Sequence, residues 1–227
     1  MLPWSELKKY AFIRGLKNAV QIRLDYVQDV VLFLAYREEP DLIFKGGTCL
    51  WKLFKLPRFS EDVDLVSGRG DDPTPAVMKG MEFLGFEVEL EKNKKTANTV
   101  FSRLKISAEN FGSTWVSLQV GLREEEGSFV NFRSPYPDIR DFTMKVPSLE
   151  KIAEDKVSAI MQRNKPRDLF DLHFLVSRHG VSLPPQVKSK AFAEGVEAKR
   201  KQWRTLEGLV LGGLPDFDEV AATVSRS

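Results

Sequence analysis

The sequence predicts an α+β fold, with a mixed α/β core followed by a helical C-terminal region. Two predicted strands, the short apolar stretch 41–44 and residues 61–66, flank a helix-length segment, and each is followed by a glycine-containing turn. Residues 113–124 alternate between apolar and polar side chains, and this period of two indicates a half-buried strand. From Ser148 onward the pattern is helical only, so we expect strands and helices first and helices alone afterwards.

The first elements of the core follow from helical and strand periodicity. Residues 4–39 are predicted to form one or two helices, because apolar residues between Leu24 and Leu34 recur at helical spacing. A short strand at 41–44 is expected to end at a glycine pair, and a helix over 48–56 to end before Pro57. The stretch EDVDLV at 61–66 predicts the next strand.

The second half of the core and the C-terminal helices follow in order. A helix is expected at 76–84 and a strand at 86–90, with the basic stretch EKNKKTAN as a loop. The remaining predictions are strands at 99–107 and 113–124 and helices at 148–163, 166–178 and 186–206. We therefore predict two domains, residues 1–146 with the N-terminal helices and the core, and residues 147–227 as a helical region.

The composition excludes several classes of protein. The chain has 227 residues, of which 42% are apolar and 29% charged, as in ordinary globular proteins. The single cysteine, Cys49, excludes an intrachain disulfide and a thiolate zinc site. The longest strongly apolar run is about seven residues, far fewer than the ~20 that span a membrane. We expect a cytoplasmic protein that does not enter a membrane.

Asp62 and Asp64 are candidate metal ligands. Because they lie two apart on a predicted strand, their carboxylates project from one face, with Cα atoms roughly 7 Å apart. Mg²⁺ prefers oxygen ligands and often takes one or two carboxylates together with substrate phosphates. The alternative is a pair of exposed acids on a strand edge.

Gly46, Gly47 and Thr48 are candidate phosphate ligands. The glycines follow a strand and precede a helix, so a phosphate could approach their backbone closely, near amides that favour anions. A tight turn without a ligand is the alternative. A phosphate-binding turn and a paired-acid site on adjacent elements favour the functional interpretation of both.

Charged residues in the C-terminal helices give a further signal. Lys156 and Arg163 fall within the apolar stripe of the helix at 148–163, where they either extend to the surface or reach a polar cleft. Asp168 and Asp171 lie on a helix that is apolar on nearly every side. A buried carboxylate needs a partner, and Lys156, Arg163 or Arg167 could supply it, although Asp168 is also typical of a helix first turn.

These motifs carry a resemblance to a known family. Lys45–Thr48, followed by Arg58-x-Ser60-x-Asp62-x-Asp64, resembles the first motif of the polymerase-β-like nucleotidyltransferase superfamily. More narrowly, the chain resembles the AbiEii/AbiGii toxins, and the match continues through Asp25-Tyr26, Glu154-x-Lys156 with Arg163, and Arg167-Asp168-x-x-Asp171-Leu172. The resemblance implies a nucleotidyltransferase core, built as a small mixed sheet with flanking helices, ahead of the helical region.

The resemblance also implies an activity. The enzyme would use Mg²⁺ and move a nucleoside monophosphate from an NTP to an acceptor, either RNA such as tRNA or a protein, as the toxin of a toxin–antitoxin or abortive-infection system with a cognate antitoxin. Asp62 and Asp64 would bind the metal, and Lys156 and Asp168 would complete the catalytic set. Nucleotide contacts would come from these positions: Gly46, Gly47, Thr48, Ser60, Lys156 and Arg163.

One position departs from the superfamily pattern. The superfamily places a third acid on a later strand, and the matching position here is Gln119. An amide is a poor metal ligand and an ineffective base, and Glu124 is the nearest acidic candidate along the sequence. The competing hypothesis is therefore a non-catalytic nucleotide- or RNA-binding relative that kept the fold and lost one acid.

Overall fold

The computed structural model describes residues 2–226 and contains a seven-stranded sheet and eight α-helices in that range. The strands are β1 (Ile43–Lys45), β2 (Asp62–Ser67), β3 (Glu87–Lys95), β4 (Thr99–Ala108), β5 (Gly112–Leu122), β6 (Ser128–Phe132) and β7 (Phe142–Val146). The helices are α1 (Trp4–Ile13), α2 (Ala19–Glu38), α3 (Gly46–Phe54), α4 (Thr74–Phe83), α5 (Leu149–Gln162), α6 (Pro166–His179), α7 (Lys190–Glu197) and α8 (Phe217–Arg226). Two 3-10 helices cover Pro185–Lys188 and Arg200–Leu206.

The chain divides into two compact units. The first contains the residues up to Cys49 together with Glu61–Pro147, and the second contains Leu50–Ser60 and the chain from Ser148 onward. Helix α3 therefore begins in the first unit and continues into residues counted with the second. Across residues 2–226, none of the helices combines the length and the apolar character that a membrane crossing requires.

The sheet of the first unit is mixed, with strand order β3-β4-β5-β2-β1-β7-β6. Strand β2 pairs parallel with β5, and β1 pairs parallel with β7, while the other neighbours are antiparallel. Helix α2 packs against β5, β7, α1 and α4. The α+β prediction is confirmed: the sheet is mixed and helices flank it.

The alternation predicted for residues 113–124 is present in β5. Val116, Leu118 and Val120 are fully buried, whereas Gln119 between them is exposed. In β2, Val63 and Leu65 are buried and alternate with half-buried Asp62 and Asp64. One face of the sheet therefore builds the core of this unit, and the opposite face carries the polar side chains of both strands.

A buried polar cluster fixes α2 within the first unit. The Tyr136 hydroxyl donates to Asp25 Oδ2 over 2.8 Å, and the Ser134 hydroxyl donates to Asp29 Oδ2 over 2.6 Å. Arg14, at the end of α1, lies 3.5 Å from Asp25 and 3.4 Å from Asp29. Because Asp25 and Asp29 are fully buried, these partners offset the cost of removing their charge from water.

Lys199 ties the helices of the second unit together. Its buried ammonium donates to the carbonyl oxygens of Ile160, Arg163 and Gly195 over 2.8, 2.9 and 2.7 Å. The end of α5 and the end of α7 are thereby held by one cation, a favourable position for positive charge at helix C-termini.

Several predicted elements differ from the structure. Strand β3 runs to Lys95, so most of the stretch predicted as a loop is an edge strand, exposed along almost its whole length and therefore without hydrophobic alternation. The single helix predicted for 186–206 is wrong: two 3-10 helices flank the short α7, which begins at the N-cap Ser189. Strands β6 and β7 and helix α8 have no counterpart in the prediction.

Candidate active site

The turn between β1 and α3 lies directly against the carboxylate of Asp64. Lys45 on β1 is the pairing partner of Asp64 on β2, and Gly46 begins α3 with φ +76°. A Cβ atom at position 46 would overlap the Asp64 carboxylate and lie 3.0 Å from its Cγ. Glycine is required here both for the left-handed backbone and for this close approach.

Thr48 and Gln28 hold the start of β2. The buried Thr48 hydroxyl donates a hydrogen bond to the backbone carbonyl of Asp62, and Gln28 Nε2 donates to the carbonyl of Glu61 over 2.9 Å. The Thr48 hydroxyl is thus used within the protein. A phosphate at this turn would meet backbone amides of the first turn of α3, which have no acceptor within the helix.

Asp62 and Asp64 project from one face of β2, as predicted, and β5 extends that face. Ser117 pairs with Asp62 and Gln119 pairs with Asp64 in the parallel register of the two strands. The placement of Gln119 beside Asp64 is therefore confirmed. Glu124 is not the missing acid. Its carboxylate lies next to Gly68, which follows the last residue of β2, whereas Asp62 is the first residue of that strand.

An ion pair next to this site was missed by the sequence analysis. Lys45 Nζ lies 2.9 Å from Glu125 Oε1, and both side chains are largely buried. Arg123 Nη2 contacts the same carboxylate over 2.8 Å. Glu125 follows β5 in an irregular segment, so neither spacing nor periodicity indicates its partner, although Lys45 belongs to the glycine motif itself.

Asp62 and Asp64 fit a Mg²⁺ site in which water and the substrate supply the remaining ligands. Within the part of the chain that the structure describes, no cluster of three or more His, Cys, Asp or Glu side chains is arranged as a metal site. Asp62 and Asp64 supply two carboxylates on one face. Mg²⁺ commonly takes one or two carboxylates and fills its remaining positions with water and substrate phosphates.

The second unit brings together three other predicted site residues. Lys156 Nζ lies 3.1 Å from Asp168 Oδ1 and 2.6 Å from Asp171 Oδ2. Arg163 donates two hydrogen bonds to the carboxylate of Asp168, from Nε over 2.8 Å and from Nη2 over 2.9 Å. The prediction that Lys156 and Arg163 partner the buried carboxylates is confirmed.

Arg58 completes this network, and its partner was not predicted. The buried guanidinium donates from Nε and Nη2 to the two oxygens of Asp171, each over 2.9 Å. Ser60, two residues further along, is also buried, at 6% exposure. Arg58 stands in the predicted motif, but only the fold shows that it meets α6.

The charges of this network determine the protonation states of Asp168 and Lys156. Burial favours the neutral form of Asp168, but the Lys156 ammonium and Arg163 outweigh burial and lower the pKa of Asp168 to about 2. Burial likewise disfavours the charged form of Lys156, but the carboxylates of Asp171 and Asp168 outweigh it and raise its pKa above the ordinary lysine value. Asp168 and Lys156 therefore both stay ionised at neutral pH.

The mixed sheet, with a glycine turn against paired aspartates, is the arrangement that the resemblance of the sequence to nucleotidyltransferases predicted. The sequence profile of the family described as "Nucleotidyl transferase AbiEii toxin, Type IV TA system" matches residues 32–223. The chain belongs to this family, and membership implies a nucleotide substrate and an antitoxin partner.

Solved structures share the fold, and two of them illustrate the similarity. JHP933 from Helicobacter pylori is 21% identical over 91% of this chain and 89% of its own, with a TM-score of 0.66. MenT4, a nucleotidyltransferase toxin from Mycobacterium tuberculosis H37Rv, is 19% identical over 100% of this chain and 88% of its own, with a TM-score of 0.65. No curated protein matches the sequence.

Proposed function

We propose that this toxin moves a nucleoside monophosphate from an NTP to an RNA acceptor, such as tRNA, or to a protein acceptor, in a Mg²⁺-dependent reaction. The observation that carries the proposal is the contact between the Gly46 turn and the Asp64 carboxylate, with Asp62 on the same face. The proposed phosphate site and the proposed metal site are thereby adjacent within one unit. We place this reaction in the cytoplasm, where NTPs and acceptors are available.

Each residue of the first unit has a part in the proposed reaction. Asp62 and Asp64 would hold Mg²⁺, which when bound neutralises the triphosphate and helps to orient the reacting oxygens. Gly46, Gly47 and the Thr48 amide would bind phosphate oxygens at the start of α3. The Thr48 hydroxyl and Gln28 keep Asp62 in place through the backbone of β2.

The second unit holds the cationic residues that the resemblance to the family assigns to nucleotide binding. Lys156 Nζ, with three N–H donors, contacts both Asp168 and Asp171. The Arg163 side chain is 51% exposed while Asp168 holds it in place. We propose Ser60, Lys156 and Arg163 as nucleotide contacts and Asp168 as the residue that orients both cations. On this view residues 1–146 form the nucleotidyltransferase core with the N-terminal helices, and residues 147–227 form a helical C-terminal region.

Gln119 distinguishes this site from one with three acids. Its amide lies on the strand beside Asp64 and can orient an acceptor hydroxyl but cannot effectively remove its proton. We therefore propose transfer without a general base from β5, where such a base normally contributes about 10²–10⁴-fold. Membership in a transferase family favours this slow enzyme over the non-catalytic relative.

A labelling experiment tests the proposal. The protein is incubated with each α-labelled NTP in turn, with total cellular RNA or protein extract, with and without Mg²⁺. With Mg²⁺ we expect label on one of the two acceptor classes, and without Mg²⁺ we expect no label. The Asp64→Asn variant should give no label under either condition. Asp41→Asn, which changes an exposed ion pair with Arg69 in the same unit, is the matched control and should label normally. Wild-type rates in Asp64→Asn would contradict the metal assignment.

Expression in a bacterial host adds a second readout. The wild-type chain should inhibit growth, because the family consists of toxins. Asp62→Ala should relieve the inhibition at equal protein level. Equal toxicity of wild type and Asp62→Ala would show that toxicity does not depend on the paired aspartates.

A further inference from the structure

The polar face of β2 and β5 continues across β4 and β3. In the antiparallel register, Arg103 pairs with Ser117 and Phe101 pairs with Gln119. On β3, Lys92 pairs with Arg103 and Lys94 with Phe101, after a bulge between Leu90 and Lys92. Paired residues project from the same face of a sheet, so these side chains share the face that carries Asp62 and Asp64.

This surface combines aromatic rings with cations. We name it the lysine–aromatic face, and it consists of Lys92, Lys94, Phe101, Arg103, Lys105 and Trp115. Trp115 is 40% exposed, so part of its indole ring lies at the surface of the sheet. The Lys92 ammonium lies 5.6 Å from the centroid of the Phe101 ring.

An acidic side chain fixes the orientation of Trp115. Its indole N–H donates to Glu91 over 2.7 Å, and Arg103 lies 3.5 Å from the other oxygen of that carboxylate. Glu91 is the residue at the bulge of β3, so the bulge places it between the two side chains. The indole is therefore held at the surface with a defined orientation before any ligand arrives.

The face leads directly to the paired aspartates. One row of paired residues runs from Lys94 through Phe101 and Gln119 to Asp64. Neighbouring strands lie about 4.8 Å apart, so the backbone of Phe101 is roughly 10 Å from that of Asp64. That separation corresponds to one or two nucleotides of an extended strand.

We infer that the lysine–aromatic face binds single-stranded RNA and leads its end toward Asp62 and Asp64. Exposed rings stack on bases, and lysines beside them contact the phosphate backbone, in proteins that bind single strands. A duplex keeps its bases stacked inside and offers such rings nothing to stack on. The inference rests on the proposed function in taking this RNA to be the acceptor.

Binding of RNA is measured without NTP or metal, so that it does not depend on transfer. The probe is a 5′-fluorescein-labelled 12-nucleotide RNA without self-complementarity, followed by fluorescence anisotropy over a range of salt concentrations. We expect Phe101→Ala and Trp115→Ala each to weaken binding about tenfold. Lys92→Glu with Lys94→Glu should weaken it further and reduce the slope of log affinity against log salt by about 1.4, for two lost phosphate contacts.

The matched control reverses the charge of two exposed lysines of the second unit, as Lys188→Glu with Lys190→Glu. This variant should bind RNA as the wild type does. The melting temperature of every variant shows whether weaker binding comes from unfolding or from the altered surface. If Phe101→Ala does not fold, the variant with Lys92→Glu and Lys94→Glu still tests the inference. Wild-type affinity in the face variants, an equal loss in the control, or equal competition by a 12-base-pair RNA duplex would each overturn the inference.

The two proposals fail in different ways. If transfer depends on Asp64 but the face variants bind RNA normally, only the assignment of this surface is wrong. If the face variants lose RNA binding while the wild-type chain transfers no nucleotide, only the proposed function is wrong.

Discussion

The Lys156 ammonium lies 2.6 Å from Asp171 Oδ2, and both side chains are buried. Asp168 approaches the same ammonium on its other side over 3.1 Å. Since Lys156 belongs to α5 and both aspartates to α6, this contact joins two helices of the second unit through charge. Residues proposed to bind a nucleotide are thus also required for the packing of that unit.

Replacing Lys156 should destabilise the protein as well as lower transfer. Lys156→Ala leaves Asp168 and Asp171 buried with less compensating charge, and breaking a buried pair typically costs about 3–5 kcal/mol. Urea unfolding measures the loss. Lys151→Ala on the same helix is the control, because its partner Glu154 is exposed, its partner Asp155 is partly exposed, and surface pairs contribute about 0–1 kcal/mol. Equal unfolding midpoints for the two variants would contradict a packing role for Lys156.

The low pKa of Asp168 predicts a loss of stability in acid. Its pKa is about 2 in the folded chain, below the value of about 3.9 in an unfolded one. The resulting stabilisation, on the order of 2 kcal/mol, is complete above about pH 5 and is lost as the pH falls toward 2. Unfolding free energies between pH 6 and pH 2.5 should therefore fall less steeply for Asp168→Asn than for wild type.

Asp155→Asn is the control for this pH dependence. Asp155 is a partly exposed partner of Lys151 on α5, so its variant should keep the wild-type profile. A carbon-13 NMR titration of the Asp168 carboxyl group gives a direct reading in the native chain. A carboxyl pKa of 3.5 or higher would contradict the prediction.

Gly46→Ala should abolish transfer, whereas Gly70→Ala should not. Both glycines have positive φ, +76° and +81°, so alanine should cost roughly 1–2 kcal/mol of stability at either position. Only at Gly46 does the added methyl group meet the Asp64 carboxylate; nothing lies within 4 Å at Gly70. A displacement of about 1 Å at a reacting site can cost ~10²-fold in rate. Equal transfer rates for the two variants would show that the position of Asp64 is not critical.

Gln119→Glu should accelerate transfer and tighten its dependence on Mg²⁺. The new carboxylate would stand on the strand beside Asp64, where it can act as a base and as a metal ligand. Initial rates over a Mg²⁺ titration measure both effects, and Gln186→Glu on an exposed 3-10 helix serves as the control. Unchanged rates and metal dependence would place the acceptor on another side of the paired aspartates.

The sequence predicts those strands and helices that have one buried and one exposed face, because such elements show a regular alternation of apolar and polar residues. Strands β2 and β5 alternate because one face is core, and the same alternation places Asp62, Asp64 and Gln119 together. The partners of Asp168 were predictable because a buried carboxylate requires a cation and few were within reach. Gly46 was predictable as a turn residue, since its position between strand and helix requires positive φ.

Other contacts depend on elements far apart in the chain. Lys45 with Glu125, and Arg58 with Asp171, join residues separated by 80 and 113 positions, and no local pattern encodes such distances. The second half of β3, from Glu91 to Lys95, has no apolar residue and hence no alternation, because solvent reaches all of its side chains. Lys199 looks like a surface residue by type, and only the convergence of three carbonyl groups explains its burial.

The position of β3 at the edge of the sheet has a consequence for self-association. An edge strand offers unpaired backbone groups to the edge strand of another molecule, and such pairing can begin aggregation. Here the outer strand carries Lys92, Lys94 and Lys95, and a bulge interrupts its regular hydrogen-bonding pattern. Two copies of this edge would not match in register, because the bulge offsets the backbone groups of one half of the strand from those of the other. The bulge that places Glu91 beside Trp115 thus also disfavours the joining of chains edge to edge at high concentration.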